Sequence, residues 1–125
     1  MLRPSGNELS VYLHSGVVDM RKSIDGLSLL VEQSMALSPF DPAVFVFANR
    51  QRDKVKLLVW ECNGFVLWYK RLEKQRFRWP KVHDETVTLT LTIHELNYLL
   101  DGLDIFNNKP HQSLDYGSTN AGIGV

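Results

Sequence analysis

Ten of the fourteen lysines and arginines in this 125-residue chain fall between Arg50 and Lys81, and so do all three tryptophans, Trp60, Trp68 and Trp79. That window holds three acids, Asp53, Glu61 and Glu73, giving a formal charge of +7; the rest of the chain, with four bases and eleven acids, carries −7. A net charge of +0 therefore conceals a strongly uneven distribution. Lysine and arginine neutralise phosphates, and flat indole rings can stack on bases, so cations interleaved with aromatics suit a polyanion-binding surface. The same residues have a plainer use: charges at strand ends keep sheet edges soluble, and tryptophans in strands usually pack in a core.

Residues that could do covalent or metal chemistry are scattered. The histidines stand alone at His14, His83, His94 and His111. His94-Glu95 begins like a zinc-protease HExxH, but Tyr98 occupies the second histidine position, and two ligands one helical turn apart are required. Glycine-rich phosphate loops of the P-loop type and GxSxG elbows are absent. The acid pairs Asp84-Glu85 and Asp101/Asp104 sit at element ends, where carboxylates cap or solvate, and Asp19 and Asp25 fall on different faces of one predicted helix. The expectation is a protein without catalytic residues, metal or cofactor. Cys62, the single cysteine, cannot form an internal bridge, which suits a reducing cytoplasm. The start of the chain lacks a signal-like apolar stretch, and no run of about eighteen apolar residues occurs, so neither export nor membrane spanning is expected.

The elements that must position the cations are legible in outline. With 44% hydrophobic residues, the chain can bury roughly two-thirds of its unfolded surface in one core without a disulfide or metal. Residues 10–14 (SVYLH) alternate as a short strand that Gly16 should break. Asp19 is placed as N-cap of a helix over residues 20–35, whose stripe is Met20, Ile24, Leu27, Val31 and Met35. Ser38-Pro39-Phe40-Asp41-Pro42 turns the chain. Strands follow at residues 44–49, 54–62 and 65–72, and 75–79 (QRFRW) is a candidate further strand before Pro80. Residues 86–92 (TVTLTLT) alternate cleanly, with Val87, Leu89 and Leu91 inward. Thr92 and Glu95 form a capping box for a helix carrying Ile93, Leu96, Leu100 and Leu103. The fold class is α+β: a mostly antiparallel sheet of five or six strands with two helices, each with a stripe wide enough to cover a sheet face. The globular domain spans 1–106, and polar, glycine-rich residues 107–125 read as a flexible tail.

Asn63-Gly64 between apolar runs is a strong hairpin signal, since a type I′ turn needs two residues that tolerate positive φ. A two-residue loop there pairs Cys62 with Phe65, Trp60 with Leu67, Leu58 with Tyr69 and Lys56 with Arg71. The turn at 50–53 and the turn near Glu73-Lys74 then lie at the same end of the sheet. Arg50, Arg52, Lys54, Lys56, Lys70, Arg71, Lys74 and Arg76 gather there, joined by Arg78 and by Trp79, expected as the exposed ring. Unpaired like charge at that density favours an anionic partner or full solvent exposure.

VDMRKSIDGL (18–27) followed by FVFANRQRDKVKLLVWECNGFVLWYKRLEKQRFRWP (45–80) resembles the small accessory protein of IS-sixty-six type bacterial insertion sequences, the TnpB or Orf2-like family. The similarity runs from about Val11 to Leu103, and LDYGS (114–118) has the same flavour. Ser23 and Gln75 stand where the family commonly has glycine. The resemblance implies a role in DNA transposition beside a separate, larger transposase, and it carries over no catalytic residue. Combined with the charge pattern, it gives an accessory factor that binds insertion-sequence ends through Arg50, Arg52, Lys54, Lys56, Lys70, Arg71, Lys74, Arg76, Arg78 and Trp79. The alternative is a module that docks the transposase without touching DNA; an enzyme active only in the assembled complex is the third class. Oligomeric state stays open.

Overall fold

The computed structural model describes residues 9–81 and 87–106. Among these residues five strands and two helices follow in the order β1 (Ser10–Val17), α1 (Ile24–Gln33), β2 (Ala43–Ala48), β3 (Lys54–Glu61), β4 (Gly64–Arg71), β5 (Thr88–Leu91) and α2 (Ile93–Leu100). The strands form one sheet in the order β4-β3-β2-β1-β5. β1 and β2 run parallel, and every other neighbouring pair is antiparallel. A parallel pair cannot be closed by a tight hairpin, and α1 supplies the crossover. The expected α+β class with a mostly antiparallel sheet is what forms.

β2 shows why the layers stack as they do. All six of its residues are buried. Ala43, Phe45 and Phe47 pack with Leu27, Val31 and Met35 of the α1 layer, whereas Val44, Val46 and Ala48 pack with Leu96, Leu99 and Leu100 of α2. Side chains alternate across a strand, so an unbroken apolar run must be covered on both faces. The two helices therefore lie on opposite sides of the sheet with β2 at its centre.

Several boundaries depart from the sequence reading. α1 begins at Ile24 with Ser23 as N-cap, not at Met20. Asp19 instead folds the approach to the helix: its carboxylate accepts the Arg21 amide at 2.9 Å and pairs with the Arg21 guanidinium at 2.7 Å, which holds its pKa down at about 2. β1 runs through Gly16 to Val17, with a register irregularity after Leu13. Residues 75–79 form no strand. One backbone bond, from the Phe77 amide to the Arg52 carbonyl at 2.7 Å, and the burial of Phe77 anchor that segment. Val87 is exposed, while Leu91 points inward as expected. The expected tail beyond residue 106 lies outside the described residues.

α2 starts and stops as its sequence dictates. Thr92 Oγ1 accepts the Glu95 amide at 3.0 Å, and Glu95 Oε1 accepts the Thr92 amide at 2.8 Å, completing the capping box. At the other end Gly102 takes φ 85. Its amide donates to Leu99 and that of Leu103 to Tyr98, the two bonds of a Schellman motif that only a left-handed residue permits. α1 ends less comfortably, because Ala36 holds φ 56. An L-residue with a Cβ carries a steric penalty there that glycine avoids. Ala36→Gly is expected to stabilise the fold by about 1 kcal/mol and raise the melting temperature by a few degrees in thermal denaturation.

His14 is buried in β1 against the ring of Phe47, 5.8 Å between centroids, and its Nδ1 donates to the Gly16 carbonyl at 3.2 Å. Burial pushes its pKa below the ordinary 6.5; the bond to Gly16 opposes this, and the Arg52 charge adds to it. The unfolded chain thus takes up this proton at higher pH than the folded one. Stability from this residue is complete above pH 6.5 and is lost as pH falls towards the lowered folded value. Comparing melting temperatures at about pH 7.5 and about pH 5.5, His14→Gln should show a smaller acid-induced drop than the parent protein.

Candidate nucleic-acid interface

The β3–β4 hairpin pairs Glu61 with Gly64, Trp60 with Phe65, Leu58 with Leu67, Lys56 with Tyr69 and Lys54 with Arg71. This is two residues away from the register expected for an Asn63-Gly64 corner. The corner is Cys62-Asn63: Cys62 takes φ 51, the Asn63 amide donates to the Glu61 carbonyl, and Gly64 joins the strand. The observed register sets Trp60 directly opposite Phe65, with ring centroids 5.0 Å apart, and Phe40 closes over both at 5.0 and 5.4 Å. A direct cross-strand aromatic pair outweighs the local preference of Asn-Gly for the corner. Because the slip is even, no side chain changes face.

The same slip leaves the cationic bends together. At the end of the sheet away from Cys62, the Leu72 amide donates to the Asp53 carbonyl at 2.8 Å, and the Phe77 amide to the Arg52 carbonyl at 2.7 Å. Asn49 organises the first bend from a buried position. Its Nδ2 donates to Asp53 at 2.7 Å, and its Oδ1 accepts the Lys54 amide at 3.1 Å. Sequence reasoning does not single out Asn49; an amide at the end of an apolar strand, just before a polar turn, is the available signal.

The ten expected residues divide into four groups. Arg50, Lys74, Arg76 and Arg78 are exposed and Lys54 is half-buried, and among the described residues none of the five is held by a carboxylate. Arg71 is exposed and paired with Glu73 at 3.0 Å. Lys56 and Lys70 are turned inward, on opposite sheet faces. Lys56 Nζ donates at 2.8 Å to the carbonyls of both Met20 and Lys22, ahead of α1. Lys70 Nζ donates at 2.7 Å to the Leu100 carbonyl at the end of α2, where a helix leaves acceptors unpaired and favours a cation. These two lysines brace the fold. Spacing alone cannot separate them from the free cations, since it says nothing of which carbonyls lie within reach.

Arg52 and Trp79 form the fourth group. Arg52 holds φ 60, and its guanidinium lies 5.3 Å over the Trp79 ring. Burial lowers the Arg52 pKa, and the charge of Arg50 lowers it further. Trp79 is half-buried against the α2-side core rather than exposed as the sequence suggests. Beside this pair an open cleft of about 310 Å³ is lined by Arg52, Arg76, Arg78, Trp79, Pro80 and Asp104.

Among the described residues, no group of three or more His, Cys, Asp or Glu is placed to hold a metal ion, and no helix is long and apolar enough to cross a membrane. Cys62 is free and exposed.

Comparison with known proteins matches residues 9–110 to the family model described as IS66 Orf2 like protein. A Sinorhizobium fredii chain called uncharacterized protein y4hO is 34% identical over 101 residues, covering 81% of this chain and 86% of its own length. Uncharacterized protein y4jC of the same organism is 31% identical over 104 residues, covering 83% and 86%. No solved structure matches.

Proposed function

Since this chain belongs to the IS66 Orf2-like family of insertion-sequence proteins, we propose that it supports transposition in the bacterial cytoplasm by binding the DNA of its element through the cationic end of the sheet, beside the transposase. One observation carries this reading. Two bends, the β2–β3 turn and the stretch after β4, are hydrogen-bonded side by side, and Arg50, Lys54, Lys74, Arg76 and Arg78 around them lack carboxylate partners among the described residues. Such a surface follows a phosphate backbone, with Arg71 joining once Glu73 is displaced. Lys56 and Lys70 stay with their carbonyls.

The test is binding of the purified protein to a labelled duplex carrying the element's terminal repeat and to a random duplex. Comparable salt-sensitive affinity for both indicates backbone recognition, and a preference for the repeat indicates base readout in addition. Absence of binding to either, with retention of the transposase from nuclease-treated extract, would replace this reading with protein docking.

A further inference from the structure

We infer that the cleft beside Arg52 and Trp79 seats a terminal phosphomonoester of a nucleic-acid strand. This rests on the nucleic-acid reading above and adds a specific ligand group to it.

The cleft is built from two chain segments that the fold ties together. Arg52 comes from the β2–β3 turn, and Arg76, Arg78 and Trp79 from the stretch after β4; the Phe77 amide bonded to the Arg52 carbonyl at 2.7 Å joins them. Three guanidinium side chains thus border one recess of about 310 Å³. The single carboxylate on its lining, Asp104, accepts the Phe106 amide at 3.2 Å. The surplus of positive charge is local: half-buried Arg52 and exposed Arg76 and Arg78 border the same open cleft.

Two donors at this site lack an acceptor among the described residues. Arg52 Nη1 and Trp79 Nε1 are enclosed by protein without a hydrogen-bond partner there. Enclosed donors are normally satisfied, and a charged one left without an acceptor calls for a reason. Arg52 is further constrained by its left-handed backbone at φ 60, a conformation that tends to persist where function requires it. A ligand that only accepts hydrogen bonds meets the need of the charged donor: a turn of the guanidinium towards the cleft gives Nη1 an acceptor. Phosphate oxygens match the planar fork of arginine in bidentate fashion.

Charge and shape select the kind of phosphate. An internal phosphodiester carries one negative charge and runs along a continuous backbone, which exposed side chains such as Arg50 can follow. A phosphomonoester carries about −1.5 to −2 near neutral pH and projects from a strand end. A recess with three guanidinium groups favours the more highly charged, projecting group.

The experiment uses the full chain and labelled oligonucleotides of one sequence ending in a 5′-phosphate, a 3′-phosphate or a hydroxyl, measured by fluorescence anisotropy, with inorganic phosphate as competitor. One phosphorylated end is expected to bind about tenfold more tightly than the hydroxyl end, and millimolar phosphate should erase the difference. Arg52→Asn keeps a residue that tolerates positive φ and is expected to bring the ratio close to one. Arg78→Gln, at an exposed position, should lower the same ratio should the first variant fold poorly. Equal binding of all three ends, or a preference that survives both substitutions, would overturn the inference. Salt-dependent binding with no end preference leaves the broader DNA reading standing while this one fails. Phosphate-competed preference for a phosphorylated end, with no binding of a duplex that ends in hydroxyls, would do the opposite: the phosphomonoester seat stands and the DNA surface falls.

Discussion

Replacing Arg50, Lys54, Arg76 and Arg78 together by glutamine is expected to weaken duplex binding at least ~100-fold at low salt and to flatten its salt dependence. Each phosphate neutralised on duplex DNA contributes about −0.9 to the slope of log affinity against log salt. With about six phosphates contacted the parent protein should show a slope near −5, and the fourfold variant a slope near −2. From about 50 mM to about 200 mM salt the parent then loses roughly a thousandfold in affinity. The comparison is interpretable because three of the four side chains are exposed and none of the four is held by a carboxylate among the described residues, so stability should change by only a few tenths of a kcal/mol at each position. Titration at four or five salt concentrations gives both slopes. A flat response in the parent, or identical curves for the two proteins, would sink the cationic surface as a DNA site.

The second large effect is expected in the core. Phe47 is fully buried in β2 beneath α1 and lies against the imidazole of His14. Phe47→Ala removes a whole ring and leaves a void that the stiff central strand cannot close, so a loss of about 3–5 kcal/mol is expected. A domain of this size holds roughly 5–15 kcal/mol in total, which puts the variant near the edge of folding. Phe40→Ala is the matching control: Phe40 is 55% exposed over Trp60 and Phe65, and its removal should cost no more than about 1 kcal/mol. Urea unfolding of the three proteins measures both values. Equal losses at the two positions would contradict the buried role of β2.

How much of the fold is legible in the sequence depends on the range of the interactions involved. The capping box of α2, the apolar stripe of α1 and the run VFVFA are local patterns, and each becomes the expected element. The start of α1 misleads because Asp19 is as good a turn former as a helix cap, and the choice is made by Lys56, which holds the carbonyls of Met20 and Lys22 from a distant strand. The hairpin corner lies two residues from its expected register because Trp60, Phe65 and Phe40 meet only after the sheet has formed. At the candidate site, the gathering of the bends follows from chain reversal and is readable. The division between free cations and bracing lysines is not, since the acceptors belong to α2 and to the approach to α1. Trp79 looks like an exposed ring between Arg78 and Pro80, yet Arg52 covers it.

β2, sealed from water along its whole length, leaves that strand almost no freedom to vary. The bends at the cationic end answer to few such demands: apart from the amide of Asn49 and the ring of Phe77, backbone bonds fix their path. Substitution at the rim can accordingly retune charge one side chain at a time, while any change in the apolar heart carries a packing cost.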